Sequence, residues 1–149
     1  MLTVKTKIGP SAVHGIGLFA GESVPKDTVV WQFDARIDQV LDPAVLPDLP
    51  PPVQACLVRY AYKSKRTGTY ILDSDDARFF NHADSPNTYT KAVEGVSEDV
   101  IFAARDILEG EEITLDYGNQ EDDLETDNVL ADIGRTLGLT DEIDPRLKG

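Results

Sequence analysis

The chain has 149 residues, 41% of them hydrophobic, and a formal net charge of −13 at pH 7, which suits one domain able to bury a core. That charge argues against direct nucleic-acid binding, which needs clustered Lys and Arg to displace counterions, and favours a basic protein or peptide partner, although an acidic surface also serves plain solubility. A lone Cys56 and two histidines, His14 and His82, rule out an internal disulfide and a Cys/His zinc site, so no metal is expected.

In chain order, Leu2-Thr3-Val4-Lys5-Thr6-Lys7-Ile8 alternates apolar with polar residues and meets Gly9-Pro10, which predicts a half-buried strand closed by a turn. Gly15-Ile16-Gly17-Leu18-Phe19-Ala20 fits the G-x-G-x-x-A form of the dinucleotide fingerprint. That fingerprint must open a helix, however, and here Gly21, Pro25 and then a strand-like run follow. The segment is therefore expected to be a glycine-rich turn between strands, where a missing Cβ lets backbone approach a ligand. Thr28 to Phe33 and Ala35 to Val40 are β-branched or aromatic runs and predict strands. Trp31 and Phe33 could wall a ligand channel, although aromatic residues in a strand more often belong to the core.

Five prolines between Asp42 and Pro52 predict a surface loop, and Val53 to Tyr62 then favours a short helix over a strand. Strands are expected again over residues 69–73, 87–93, 99–104 and 112–117. Asp73-Ser74-Asp75-Asp76 resembles the start of a calcium loop but lacks its glycine, Arg78 standing there, and its closing Glu, where Asp84 stands. A solvated acidic turn is the expectation. Leu124, Leu130, Ile133 and Leu137 recur at near-helical spacing, and Gly138 is placed to end that helix.

Two segments carry candidate chemistry. Arg78-Phe79-Phe80-Asn81-His82, running on to Pro86-Asn87, pairs an apolar anchor with an irregular hydrogen-bonding turn; alone it could be a plain loop. Gly110-Glu111-Glu112-Ile113-Thr114-Leu115-Asp116-Tyr117 is by itself an ordinary strand after a turn.

Together and in this order, Gly15 to Ala20, Arg78 to Asn87 and Gly110 to Tyr117 resemble the SET-domain family of protein lysine methyltransferases. The likeness spans residues 1–118 and leaves 119–149 as an acidic, helical C-terminal segment closing or flanking the site. It implies a mainly β fold of several small sheets with a knot-like centre plus a C-terminal helix. It also implies S-adenosyl-L-methionine as cofactor, held at His14, Gly15, Ile16, Gly17, Arg78, Asn81 and His82, with Tyr117 as the catalytic tyrosine beside that cofactor. Phe33 and Leu115 are the candidate lysine-channel residues. Three departures stand out: Asp84 where the family often has Cys, no C-terminal cysteine cluster, and Leu115 where an aromatic residue often sets how many methyl groups are added. The resemblance implies methylation of a lysine amine in a basic protein; a non-catalytic SET-like module binding a basic partner is the alternative.

No run approaches the roughly 18 apolar residues of a membrane span, and the chain starts without the basic-then-apolar pattern of a secretory signal. The expected setting is the reducing cytoplasm, or the nucleus in a eukaryote.

Overall fold

A computed structural model describes residues 1–119 and 128–139. Ten short strands in four small sheets, joined by 3-10 turns and two α-helices, make up this part of the chain, in agreement with the expected mainly β fold. Strands β1 (Thr6–Pro10) and β2 (Ile16–Ala20) form an antiparallel hairpin. Strands β3 (Val29–Trp31), β8 (Thr88–Lys91) and β9 (Val100–Ala103) form one three-stranded sheet in the order β3-β9-β8. Strands β4 (Gln39–Leu41), β5 (Ala61–Lys63) and β6 (Tyr70–Leu72) form another, with β6 central. The last pair, β7 (Asn81–His82) and β10 (Thr114–Leu115), is parallel, with Thr114 opposite Asn81 and Leu115 opposite His82.

That parallel pair is the centre of the molecule. The segment entering β10 is held on its other side by β2, through Ala20 N–H to the Glu111 carbonyl (2.8 Å) and Ile113 N–H to the Leu18 carbonyl (2.7 Å). Asn87 supplies a third attachment with its side chain. Its Nδ2 donates to the Glu112 carbonyl (2.8 Å) and its Oδ1 accepts from Thr114 N–H (2.9 Å), so one buried amide does the work of a neighbouring strand.

Two apolar cores result. Leu18, Val24, Val30, Trp31, Phe80, Ile101, Ile107 and Ile113 form the first, with Phe33, Phe79 and Tyr117 packed against it. Trp31 is 1% exposed, which places it in the core. The second core joins Leu46, Leu57, Val58 and Tyr70 to Leu130 and Ile133 of the C-terminal helix.

Several boundaries differ from the sequence expectation. The first hairpin turns at residues 11–15, because Ser11 Oγ accepts from Val13 and His14 N–H (2.8 and 3.2 Å); Gly9 and Pro10 belong to β1. Residues 34–38 form a turn in place of a strand. Asp34 accepts from Arg36 N–H through its side chain and from Ile37 and Asp38 N–H through its carbonyl, diverting the donors a ladder would need. The prolines start a helix: α1 (Pro51–Tyr60) has Pro in its first turn, and the chain becomes extended at Ala61. Beyond β10, Tyr117 opens a 3-10 turn, Tyr117–Asn119, so the strand is shorter than expected.

The acidic segment 73–76 is also not a solvated turn. Asp73 is 7% exposed, and Asp75 accepts from Ala77 N–H (3.0 Å) and Leu2 N–H (2.7 Å), capping the 3-10 turn Asp76–Phe79 and tying down the N-terminal segment. Ser64 and Thr67 hydroxyls donate to the buried Glu98 carboxylate, fastening the β5–β6 hairpin to the β8–β9 hairpin. From the same hairpin Lys65 Nζ reaches the Gly118 carbonyl (3.2 Å) and steadies the turn that carries Tyr117.

Helix α2 (Val129–Leu137) lies within the predicted helical segment and ends at Gly138, where Leu139 N–H closes on the Gly134 carbonyl (2.8 Å). Leu124 lies outside the described residues. The helix packs on α1, β5 and the 3-10 turn Leu46–Asp48 through the second core. Its N-cap is Asn128, 5% exposed, whose Oδ1 accepts from Leu130 and Ala131 N–H (3.1 and 3.4 Å). Asn128→Ala removes that acceptor and is expected to lower stability by about 1 kcal/mol in urea unfolding.

Candidate active site

The three sequence segments meet at the β7–β10 pair, and the residue that joins them is one the sequence did not single out. Glu112, just before β10, accepts from Ser11 Oγ through both carboxylate oxygens (2.7 and 2.9 Å) and from Asn81 Nδ2 through Oε1 (2.8 Å). Asn81, 7% exposed, also directs Nδ2 at the carbonyls of His14 (3.0 Å) and Ile16 (3.2 Å). Three acceptors surround that atom, so the amide can face only one way: its oxygen there would meet three other oxygens.

The glycines of this turn serve different ends. Gly15 has φ +48° and open space around it, so its backbone conformation is what calls for glycine. At Gly17 the requirement is space: an added Cβ would lie 2.2 Å from Glu112 Oε1 and 3.0 Å from Ser11 Cβ. The close approach expected at this motif is thus made by the protein's own carboxylate. His14, Gly15 and Ile16 are exposed while Gly17 is buried, and Val13 and Ile16 present exposed apolar side chains on this segment.

His82 and Tyr117 form the other half. Tyr117 N–H donates to His82 Nδ1 (3.2 Å), which puts the ring proton on Nε2, 3.2 Å from Asp84 Oδ1. The two rings lie 5.4 Å apart. The Tyr117 hydroxyl donates to the Phe80 carbonyl at 2.5 Å, and its oxygen lone pairs can still accept. Asp116 Oδ1 accepts from Gly118 N–H (3.0 Å) and shapes the turn after β10.

The remaining predicted residues are placed as follows. Phe33 is half-buried against the first core, and Leu115, 5% exposed, belongs to that core beside His82. Arg78 stands apart from the Glu112 cluster. Its guanidinium lies 5.8 Å over the Tyr60 ring and its Nε reaches the Asp75 carbonyl (3.4 Å). Chemically, the cradle gathers acceptors: the Glu112 carboxylate, the Asn81 carbonyl oxygen, and the His14, Ile16 and Phe80 carbonyls. Such a set suits a cationic ligand with an apolar portion.

The SET domain model matches residues 15–118. Among known proteins, the chain is 33% identical over 115 residues to the H3 lysine-4 specific histone-lysine N-methyltransferase of Schizosaccharomyces pombe, a match covering 73% of this chain and 12% of that protein. It is 33% identical over 121 residues to histone-lysine N-methyltransferase 2B of Homo sapiens, covering 72% of this chain and 4% of that one. The chain thus spans about a tenth or less of the length of these curated relatives. In fold it resembles the crystal structure of a candidate histone methyltransferase from Plasmodium falciparum, with a TM-score of 0.53 and 23% identity, over 78% of this chain and 96% of that one.

Glu112 and Gly17 are expected to be energetically coupled. Gly17→Ala alone should destabilise the protein by about 1–3 kcal/mol through overpacking. In the Glu112→Ala background the same change should be milder, giving a double-mutant coupling of roughly 0.5–3 kcal/mol in chemical denaturation.

Proposed function

This chain belongs to the SET-domain family, and from that premise we propose that it transfers a methyl group from S-adenosyl-L-methionine to the side-chain amine of lysine in a basic protein or peptide. The observation that carries the proposal is the convergence, at one parallel strand pair, of an acceptor-rich cradle with a tyrosine hydroxyl held on a backbone carbonyl.

The residues present fit a sulfonium cofactor. Exposed Val13 and Ile16 offer apolar surface for a nucleoside, and the Glu112–Asn81 cluster offers negative charge and acceptors beside it. His14, Gly15, Ile16, Gly17, Asn81 and His82 would hold the cofactor, which supplies the methyl group when bound. Arg78 joins that shell through the backbone of its 3-10 turn, since its side chain is engaged with Tyr60.

The chain's own task is alignment, because an in-line displacement gains most from holding the reactants at near-attack distance. A lysine amine, with a reference pKa of about 10.4, must shed its proton before its lone pair can attack; burial and a neighbouring positive charge both favour that loss. Tyr117 Oη, oriented by its bond to the Phe80 carbonyl, accepts an N–H of the incoming amine while the carbonyl presents a second acceptor. In this reading Phe33, half-buried at the first core, and Leu115 would bound the lysine's aliphatic stem. A net charge of −13 favours a basic substrate and disfavours direct nucleic-acid contact. The setting proposed with this function is the reducing cytoplasm, or the nucleus in a eukaryote.

Tyr117→Phe is expected to slow transfer of labelled methyl groups to a basic peptide by on the order of 10²-fold, with cofactor binding little changed. Unchanged turnover would remove Tyr117 from the role assigned to it. Calorimetry addresses the non-catalytic alternative: Asn81→Ala should weaken S-adenosylmethionine binding, whereas no binding by the unmodified chain, with a basic partner still bound, would mark a recruitment module.

A further inference from the structure

Far from the Glu112 cluster in sequence, a second group of carboxylates is buried at the end of the β4–β6 ladder. Gln39 pairs with Leu72, Val40 with Ile71 and Leu41 with Tyr70, so the next step of the same register sets Asp38 opposite Asp73. Asp38 is 4% and Asp73 7% exposed. Asp38 Oδ2 is well supplied with donors: the Met1 amine at 2.8 Å and Asp34 N–H at 2.9 Å. Among the described residues, Asp38 Oδ1 and Asp73 Oδ1 have no hydrogen-bond partner.

Two buried acceptor oxygens on facing carboxyls, both lacking donors, are an arrangement that costs folding free energy when both groups are ionised. A single proton resolves it, turning one oxygen into a donor for the other. We propose that Asp38 and Asp73 form a proton-held latch: one proton, carried by Asp73, is shared toward Asp38 and closes the β4–β6 junction, and its release to solvent loosens the 34–38 turn beside Phe33.

The charges around Asp73 favour this arrangement. Burial and then Asp38 raise its pKa, to about 7; Asp75 adds to the rise, while the Met1 amine and Arg78 oppose it. The mechanical link to Phe33 is direct, since Asp38 Oδ2 holds Asp34 N–H, and the residue before Asp34 is Phe33. The sign of the pH effect follows. With a folded pKa raised above the unfolded one of 3.8, the folded state binds the extra proton between the two values. The pair's contribution to stability is therefore intact below the lower value and lost as pH rises through the higher one.

The latch stands on the carboxyl geometry and does not require the proposed methyl transfer, so its test uses no activity. Thermal unfolding of the full chain is measured from about pH 5 to about pH 8 for the unmodified protein and for Asp73→Asn, whose amide donates to Asp38 without a titrating proton. The unmodified protein should lose at least about 3 °C relative to Asp73→Asn across that window. In parallel, the Asp73 carboxyl carbon followed by NMR should titrate near neutrality and move toward the ordinary carboxylate range in Asp38→Asn. Parallel melting curves, or an Asp73 resonance already fully ionised at about pH 5, would overturn the latch. If Asp73→Asn does not fold, the titration of the unmodified protein decides the question.

Discussion

Glu112 sits where three distant parts of the chain must agree. Its carboxylate accepts from Ser11, 101 positions away, and from Asn81, 31 positions away, and it occupies the volume left open by Gly17. An ionised group taken partly out of water is tolerated when its oxygens are matched by donors, and the Ser11 hydroxyl and the Asn81 amide supply them. Because the Asn81 amide also grips the His14 and Ile16 carbonyls, the position of the glycine-rich turn depends on this one carboxylate.

The parallel β7–β10 pair is only two residues long on each strand, too short to hold itself by ladder hydrogen bonds. It is stabilised from outside, by β2 on one side, by the Asn87 amide acting as a surrogate strand, and by the apolar anchors Phe80, Ile113 and Leu115 beneath. Tyr117 leaves this pair on a 3-10 turn that Lys65 steadies from another sheet. A side chain held by several elements keeps its geometry better than one on a free loop.

The two cores divide the labour. The first includes Phe80 and has Phe33 and Tyr117 packed against it. The second fixes α1 and α2 to the β4-β6-β5 sheet, with the apolar face of helix α2 packed on α1 and its surroundings. The Asp38–Asp73 pair lies at the border between these regions, under the turn that follows Phe33.

Local signals that stayed legible were those with a local cause: the alternation that made strands, the helix expected after the proline run, the spacing of Leu130, Ile133 and Leu137, and Gly138 at the helix end. The order of the Gly15, Asn81-His82 and Asp116-Tyr117 segments was also sufficient to bring the family into view. What the sequence by itself could not determine was pairing over distance. That Glu112 faces the space beside Gly17, that Arg78 turns to Tyr60, and that Asp73 is buried rather than solvated all depend on which segments meet. A carboxylate carries the same local preferences whether it ends in water or against a buried partner. Only the tertiary fold, by choosing its neighbours and removing its water, decided which of these acids became structural joints.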